Sequence, residues 1–329
     1  MRAYLAVLMV VAVLMAATAY YLLSSSPPRT NLTLVIPPFT AEYMATYALE
    51  TGIVSSSNLT ITVQHTLQFN EILMDLQADI GFMSTEAFAK AYEMERPLKI
   101  LGTAVIQGNE EGNALLFVRL DSEITDPSEL KGRRIGVPTP RGLKSSNLIL
   151  LDVLERRFNL SLSLESDLII DKPLPQLPAL LDAGEVDAVL VIGDVAAQMS
   201  LSPDKYRLIC DVSEEFRRLY GEYPVVAVLV VKADLLEENP DLVREALRLL
   251  NESLSYSLIH RDEALEWALT QREGVELEAA QKSLEQYCIR YGLTEDDKMV
   301  IGKLFELAYS RGLISVLPDP LEVFVSLEP

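Results

Sequence analysis

Histidine and cysteine are almost absent from this chain. Its 329 residues hold only His65, His260, Cys210 and Cys288, widely separated. No Cys/His cluster of zinc-site spacing exists, so no metal is expected. The two cysteines fall in different expected elements and read as small apolar residues rather than as a pair. Basic charge is also short, at 28 Lys and Arg against 48 Asp and Glu, a net charge of −20. No basic stripe offsets that balance, which argues against a nucleic-acid partner. A G-x-S-x-G elbow and a Walker loop are both missing. Neither histidine has a nucleophile beside it, and no carboxylate stands out among many. No catalytic residue and no cofactor are assigned, and the chain is expected not to be an enzyme.

Charge is missing altogether from Ala3 to Leu23, "AYLAVLMVVAVLMAATAYYLL", which follows Arg2. That length suits a membrane-spanning helix. The "ATA" at Ala17–Ala19 also suits a signal-peptidase site. Tyr20, Tyr21, Leu22 and Leu23 carry the apolar run past that site, which favours a retained anchor. No cysteine lies near the run, so a bacterial-type lipoprotein anchor is excluded. Positive charge on the short N-terminal side places the body of the protein outside the cytoplasm. The Ser/Pro-rich stretch over 24–30 reads as a linker. N-x-[ST] triplets at Asn31, Asn58, Asn159 and Asn251 are compatible with export.

The body alternates strand and helix, the pattern of an α/β sheet. "NLTLVIPP", "LTITVQH", "ADIGFM", "LKILGTAVI" and "NALLFVRL" read as strands. "AEYMATYALETG", "NEILMDLQ" and "STEAFAKAYEME" read as the helices between them. A second run starts near Asp121. "RRIGV" is followed by a helix whose Leu143, Leu150, Leu151, Leu154 and Phe158 share one face. "DLIID", "VDAVLVI", "YRLICDV" and "YPVVAVLVV" are further strands, and Gly184 stops the helix "PQLPALLDAG". Beyond Lys232 the chain is expected to be helical, with an extended apolar strap at its end.

In open α/β sheets ligands bind beyond the carboxyl ends of the strands. The loops there are Pro37–Thr40, Met83–Glu86, Gln107–Gly112, Pro138–Gly142 and Ile192–Asp194. Where such a loop opens into a helix, free N–H groups and a partial positive charge suit an anion or a polar oxygen. Candidate ligand contacts are Phe39, Thr40, Ser84, Thr85, Asn109, Thr139, Arg141, Gly193 and Asp194. Arg141 in "PTPRG" adds a guanidinium able to fork onto a carboxylate, sulfonate or phosphate. Simpler roles stand beside these. Ser84, Thr85 and Asp194 suit helix caps, Arg141 suits a solvated surface, and Phe39, Tyr43 and Trp267 suit packing.

Several segments, in order, carry a family likeness. "DPSELKGRRIGVPTPRGLKSSNLILLDVLERRFNL" resembles the start of the second lobe in periplasmic-type (type 2) solute-binding proteins. The group concerned is the nitrate, alkanesulfonate and thiamine-precursor binders of ABC importers. "LPALLDAGEVDAVLVIGDVAAQM", "ADIGFMSTEAFAKAYE" and "VKADLLEENPDLVREALRLLNESLSYSLIHRDEALEWAL" are similar to further segments of that group. The resemblance implies two α/β lobes joined by two crossings, near Arg119–Glu123 and Tyr223–Val226. Residues 31–120 and 223–329 would form the first lobe and 121–222 the second, after an anchor over 1–23. Ligand would bind between closing lobes. An ABC permease and its ATPase would be the partners of a monomeric, extracytoplasmic binding protein. The chain departs from the group in carrying Thr-Pro-Arg where Gly-Ser is usual, and Gly193-Asp194 where an aromatic-x-Pro is common. The ligand therefore does not carry over: Arg141 points to an anion, and the net charge points away from one. The same fold also hosts biosynthetic enzymes of thiamine and menaquinone type and ligand-sensing domains, and these are the alternatives.

Overall fold

The computed structural model describes residues 30–109, 111–140 and 144–325. The expected anchor, Arg141 and all of the expected 24–30 linker except Thr30 lie outside them. Among the described residues no helix is long and apolar enough to cross a membrane.

The strands form two mixed sheets. The first contains β1 (Thr30–Ile36), β2 (Leu59–His65), β3 (Ile80–Ser84), β4 (Leu98–Ile106), β10 (Val225–Lys232) and β11 (Cys288–Ile289), in the order β11-β4-β10-β3-β1-β2. β1 runs parallel to β2 and β3, while β10 lies antiparallel between β3 and β4. Val225 to Val231 of β10 are all buried. That explains their unbroken apolar run, since a strand covered on both faces has no need of alternation. At the edge, β2 alternates instead, with Ile61 and Val63 half-buried and Thr62 and Gln64 exposed. The second sheet contains β5 (Leu115–Arg119), β6 (Ile135–Pro138), β7 (Ile169–Lys172), β8 (Ala188–Val191) and β9 (Tyr206–Asp211), in the order β7-β6-β8-β5-β9.

Helices follow the strands. α1 (Thr40–Glu50), α2 (Phe69–Met74) and α3 (Thr85–Glu93) follow β1, β2 and β3. In the second lobe, α4 (Ser145–Phe158), α5 (Leu177–Asp182), α6 (Gly193–Ser200) and α7 (Val212–Tyr220) do the same. The return through β10 leads into α8 (Ala233–Glu238), α9 (Pro240–Ile259), α10 (Arg261–Thr270), α11 (Leu277–Gln286) and α12 (Glu295–Ser310). A short α13 (Pro320–Val323) ends the described chain. The tail is thus pinned rather than wholly extended. Phe324 bridges to Ile100 of β4, and the Tyr92 hydroxyl donates to Glu322 at 2.6 Å. Phe88 of α3 stacks on Phe305 of α12, with ring centroids 6.0 Å apart, so the C-terminal helices close the first lobe's core.

The first crossing falls earlier than the sequence reading placed it. β5 pairs with β8 through Leu115–Val191, Leu116–Leu190 and Phe117–Val189, so it belongs to the second sheet. The chain leaves the first sheet after Ile106 and enters the second at Leu115, not near Arg119–Glu123. An apolar strand signals burial but not which sheet buries it. Both cysteines are free, Cys210 in β9 and Cys288 in β11.

Candidate functional site

Two helix starts of the first lobe face the second lobe, and each is met differently. At α1 the N-cap residue is Phe39, whose side chain has no oxygen to offer the free N–H groups of the first turn. Asp194, 154 residues away, supplies one: the Thr40 N–H donates to Asp194 Oδ2 at 3.2 Å. Arg272, from the loop after α10, reaches the same oxygen at 3.0 Å. Its guanidinium also lies 5.9 Å from the centre of the Phe39 ring. The Asp194 side chain is 4% exposed and that of Arg272 18% exposed, so the ion pair is largely removed from solvent.

The residue before Asp194 opens its helix in an unusual conformation. Gly193 adopts φ +59°, a left-handed conformation that glycine takes without strain. Its N–H donates to Asn113 Oδ1 at 2.6 Å, which fixes the start of α6. A Cβ at position 193 would touch the Phe39 ring at 3.4 Å, an ordinary contact, so the backbone conformation rather than space is what calls for glycine.

Glu42 stands in the first turn of α1, completely buried. The Tyr287 hydroxyl donates to its Oε1 at 2.7 Å. Burial outweighs that bond and pushes the Glu42 carboxyl up to about 8, so it holds a proton at neutral pH. Among the described residues several buried polar atoms here have no hydrogen-bond partner: Thr40 Oγ1, Glu42 Oε2 and Arg272 Nη1 from the first lobe, Asn113 Nδ2 and Asp194 Oδ1 from the second. Buried polar atoms are nearly always paired, so this concentration marks a polar chamber between the lobes.

The start of α3 makes the second corner. Glu86 is buried, and the Ser145 hydroxyl at the head of α4 contacts its Oε2. Ser145 Oγ also lies 2.9 Å from the Val226 carbonyl. A hydroxyl has one proton to give. With Glu86 protonated, Ser145 accepts from the glutamic acid and donates to Val226, and both contacts are satisfied. Burial pushes the Glu86 carboxyl up to about 7, in line with that arrangement. Lys144 lies beside it, its ammonium 4.9 Å from the centre of the Phe69 ring, and burial lowers its pKa. Near the crossings, Gln107 Nε2 donates to Ser146 Oγ at 2.9 Å, and the Gln107 N–H donates to the Pro224 carbonyl at 3.0 Å.

Of the residues expected from sequence, Phe39, Thr40, Gly193 and Asp194 come together across the lobes. Asp194 does not cap its own helix; it serves α1 of the other lobe. Ser84 and Thr85 are buried nearby but committed to their own lobe. Asn70 brackets Ser84 with two bonds of 2.9 and 3.0 Å, and the Thr85 hydroxyl donates to Val225 O at 2.6 Å. Ser84 occupies the N-cap position of α3 without a capping side-chain bond. Asn109 is exposed, its N–H donating to Glu111 O, and Thr139 is exposed with its hydroxyl on Asp171. Trp267 packs on Tyr47 and Tyr43, with centroids at 5.4 and 6.1 Å. Surface hollows of about 460 Å³ beside Leu151 and Arg311, and about 540 Å³ beside Arg119 and Lys205, share no residue with the chamber.

Comparison with known proteins agrees with this architecture. The family model described as menaquinone biosynthesis matches residues 32–310. The chain belongs to that family. The periplasmic aliphatic sulphonate binding protein SsuA from Escherichia coli has a similar structure, with a TM-score of 0.72 at 14% identity, over 91% of this chain and 98% of that one. The alkanesulfonate-binding protein SsuA from Xanthomonas axonopodis pv. citri, bound to MOPS, gives 0.68 at 18% identity, over 89% and 96%. A DszB mutant in complex with biphenyl-2-sulfinic acid gives 0.65 at 17% identity, over 91% and 97%. No curated protein matches the chain. The fold of this family member is therefore that of the periplasmic binding proteins, as its motifs suggested.

Sequence reasoning missed Glu42, Glu86, Asn113, Ser145, Arg272 and Tyr287. Glu42 and Glu86 carried a signal. Each is an acid in the first turn of a helix that starts at the carboxyl end of a parallel strand. Such acids read as complements to the helix dipole, which hides a place in a cleft. Arg272 and Tyr287 carried none, because only the packing of α10 and α11 brings them to the chamber.

Proposed function

We propose that this chain is an extracytoplasmic solute-binding protein of an ABC import system, which holds a small polar ligand between its lobes and passes it to a permease. The observation that carries this reading is the interlobe chamber. Buried atoms of Thr40, Glu42 and Arg272 in one lobe, and of Asn113 and Asp194 in the other, have no hydrogen-bond partner. A ligand seated there would complete both sets at once and hold the lobes together, which is how binding drives closure. The binding proteins of similar structure and the uncharged run over Ala3–Leu23 support an extracytoplasmic carrier. Phe39, Thr40, Gly193 and Asp194 are the proposed ligand-facing residues, with Ser84 and Thr85 behind them.

A second reading is favoured by one specific feature. Glu42 and Glu86 hold carboxyls that titrate near neutrality, about 8 and about 7, as general acids and bases do. Membership of the menaquinone biosynthesis family gives an enzymatic role further support. Native mass spectrometry of the full chain, purified without refolding, separates the two. A carrier retains a small solute and returns it unchanged after incubation. An enzyme returns a solute of altered mass, and loses that conversion in Glu42→Gln or Glu86→Gln. Full-length protein that neither retains nor binds any solute would sink both.

A further inference from the structure

The start of α1 and Arg272 together make an anion position. The helix is eleven residues long, its N-cap has no side-chain acceptor, and a guanidinium stands beside its first N–H. A solute sulfonate, carboxylate or phosphate would be expected to sit there. Instead Asp194 Oδ2 accepts from both Thr40 N–H and Arg272. The carboxylate is delivered by the other lobe, from a helix start that the Gly193 N–H bond to Asn113 fixes, so its place is built rather than incidental.

The charges around the chamber then cancel. Asp194 and Arg272 neutralise each other, and Glu42 behind them is protonated at neutral pH. Yet open hydrogen-bonding capacity of both kinds remains among the described residues: Arg272 Nη1, Asn113 Nδ2 and the Thr40 hydroxyl can donate, while Asp194 Oδ1 can accept. Moving a charged solute into a buried, electrically balanced site costs desolvation without a counter-charge to offset it. An uncharged solute carrying hydroxyl or amide groups meets no such penalty and satisfies both kinds of atom.

Resting on the reading of a solute cleft, we propose that Asp194 is an internal counter-ion filling the anion position of α1 and Arg272, and that the cleft therefore selects an uncharged polar solute over an anionic one. The sulfonate binders of similar structure would differ from this chain in that respect.

The test compares wild type with Asp194→Ala, using methanesulfonate as probe at ionic strength matched with sodium chloride. Thermal shift and titration calorimetry are the readouts. Removal of the carboxylate should expose the position, so the variant should bind methanesulfonate roughly tenfold or more tightly than wild type, as a charge-assisted hydrogen bond implies. If Asp194→Ala does not fold, Asp194→Asn, which keeps the shape and drops the charge, should show the same direction. Equal binding by wild type and variant would overturn the inference, and so would no binding by either. A second arm identifies the solute that wild type retains. A neutral molecule supports the selectivity; an anion overturns it while leaving the solute-binding reading standing. Failure of that reading shows elsewhere, in wild type that takes up no solute, and the variant comparison remains decisive.

Discussion

The two helix starts that face the second lobe differ in who supplies the acid. At α1 the carboxylate comes from the opposite lobe as Asp194, paired with Arg272. At α3 the acid is the helix's own Glu86, and the opposite lobe meets it with the Ser145 hydroxyl and the neighbouring Lys144. The first corner joins the lobes by charge, and the second by a hydrogen bond whose proton count depends on pH. One fold motif, a helix opening from the end of a parallel strand, thus yields two kinds of latch. The neighbours, not the motif, decide which.

Breaking the charged latch should have the largest effect. Asp194→Ala leaves Arg272 with a largely buried, unpaired charge, which costs about 3 kcal/mol by analogy with other broken buried pairs. Denaturant unfolding would show it, and small-angle scattering should report a larger radius of gyration as the lobes part. Stability equal to wild type would mean that the ion pair contributes nothing.

The pH dependence sharpens the contrast. Glu42 titrates near 8 in the folded chain and near 4.5 in the unfolded one. Between those values the folded state holds a proton that the unfolded state has released, so stability falls as pH rises through that window. Glu42→Gln removes the titration. It should leave stability nearly unchanged below about pH 4.5 and raise it at pH 8. Thermal melts across that range would read the difference.

Glu86→Gln should act in the same direction but more weakly, since its folded value is about 7.

Gly193→Ala tests the helix start that carries Asp194. The new side chain fits the space, so the cost is that of a left-handed alanine, about 1 kcal/mol. Arg248→Ala on the exposed face of α9 sets the floor. Its ion pairs with Glu245 and Glu252 are solvated, and the change should stay within about 0.5 kcal/mol.

Much of the framework was legible in advance. The run over Leu98–Ile106 reads as a strand and is β4, and Gly184 does end a helix, with φ +69°. The crossing was misplaced because "NALLFVRL" states that a strand is buried and not in which sheet. At the site, Phe39, Thr40, Gly193 and Asp194 were within reach of sequence because loops at strand ends are local features. Tyr287 and Arg272 were not, since each sits in a helical region far along the chain with nothing local to single it out.

By itself the sequence determined the alternation of strand and helix, the buried character of β10 and the scarcity of metal-ligating side chains. These follow from hydrophobic period and composition, which local chemistry writes directly into the chain. Only the tertiary structure decided that Asp194 caps a helix of the other lobe, that Glu42 and Glu86 hold protons near neutrality, and that β5 joins the second sheet. Each depends on burial and on partners tens to hundreds of residues away. Desolvation and charge pairing act through space, and no local pattern records them.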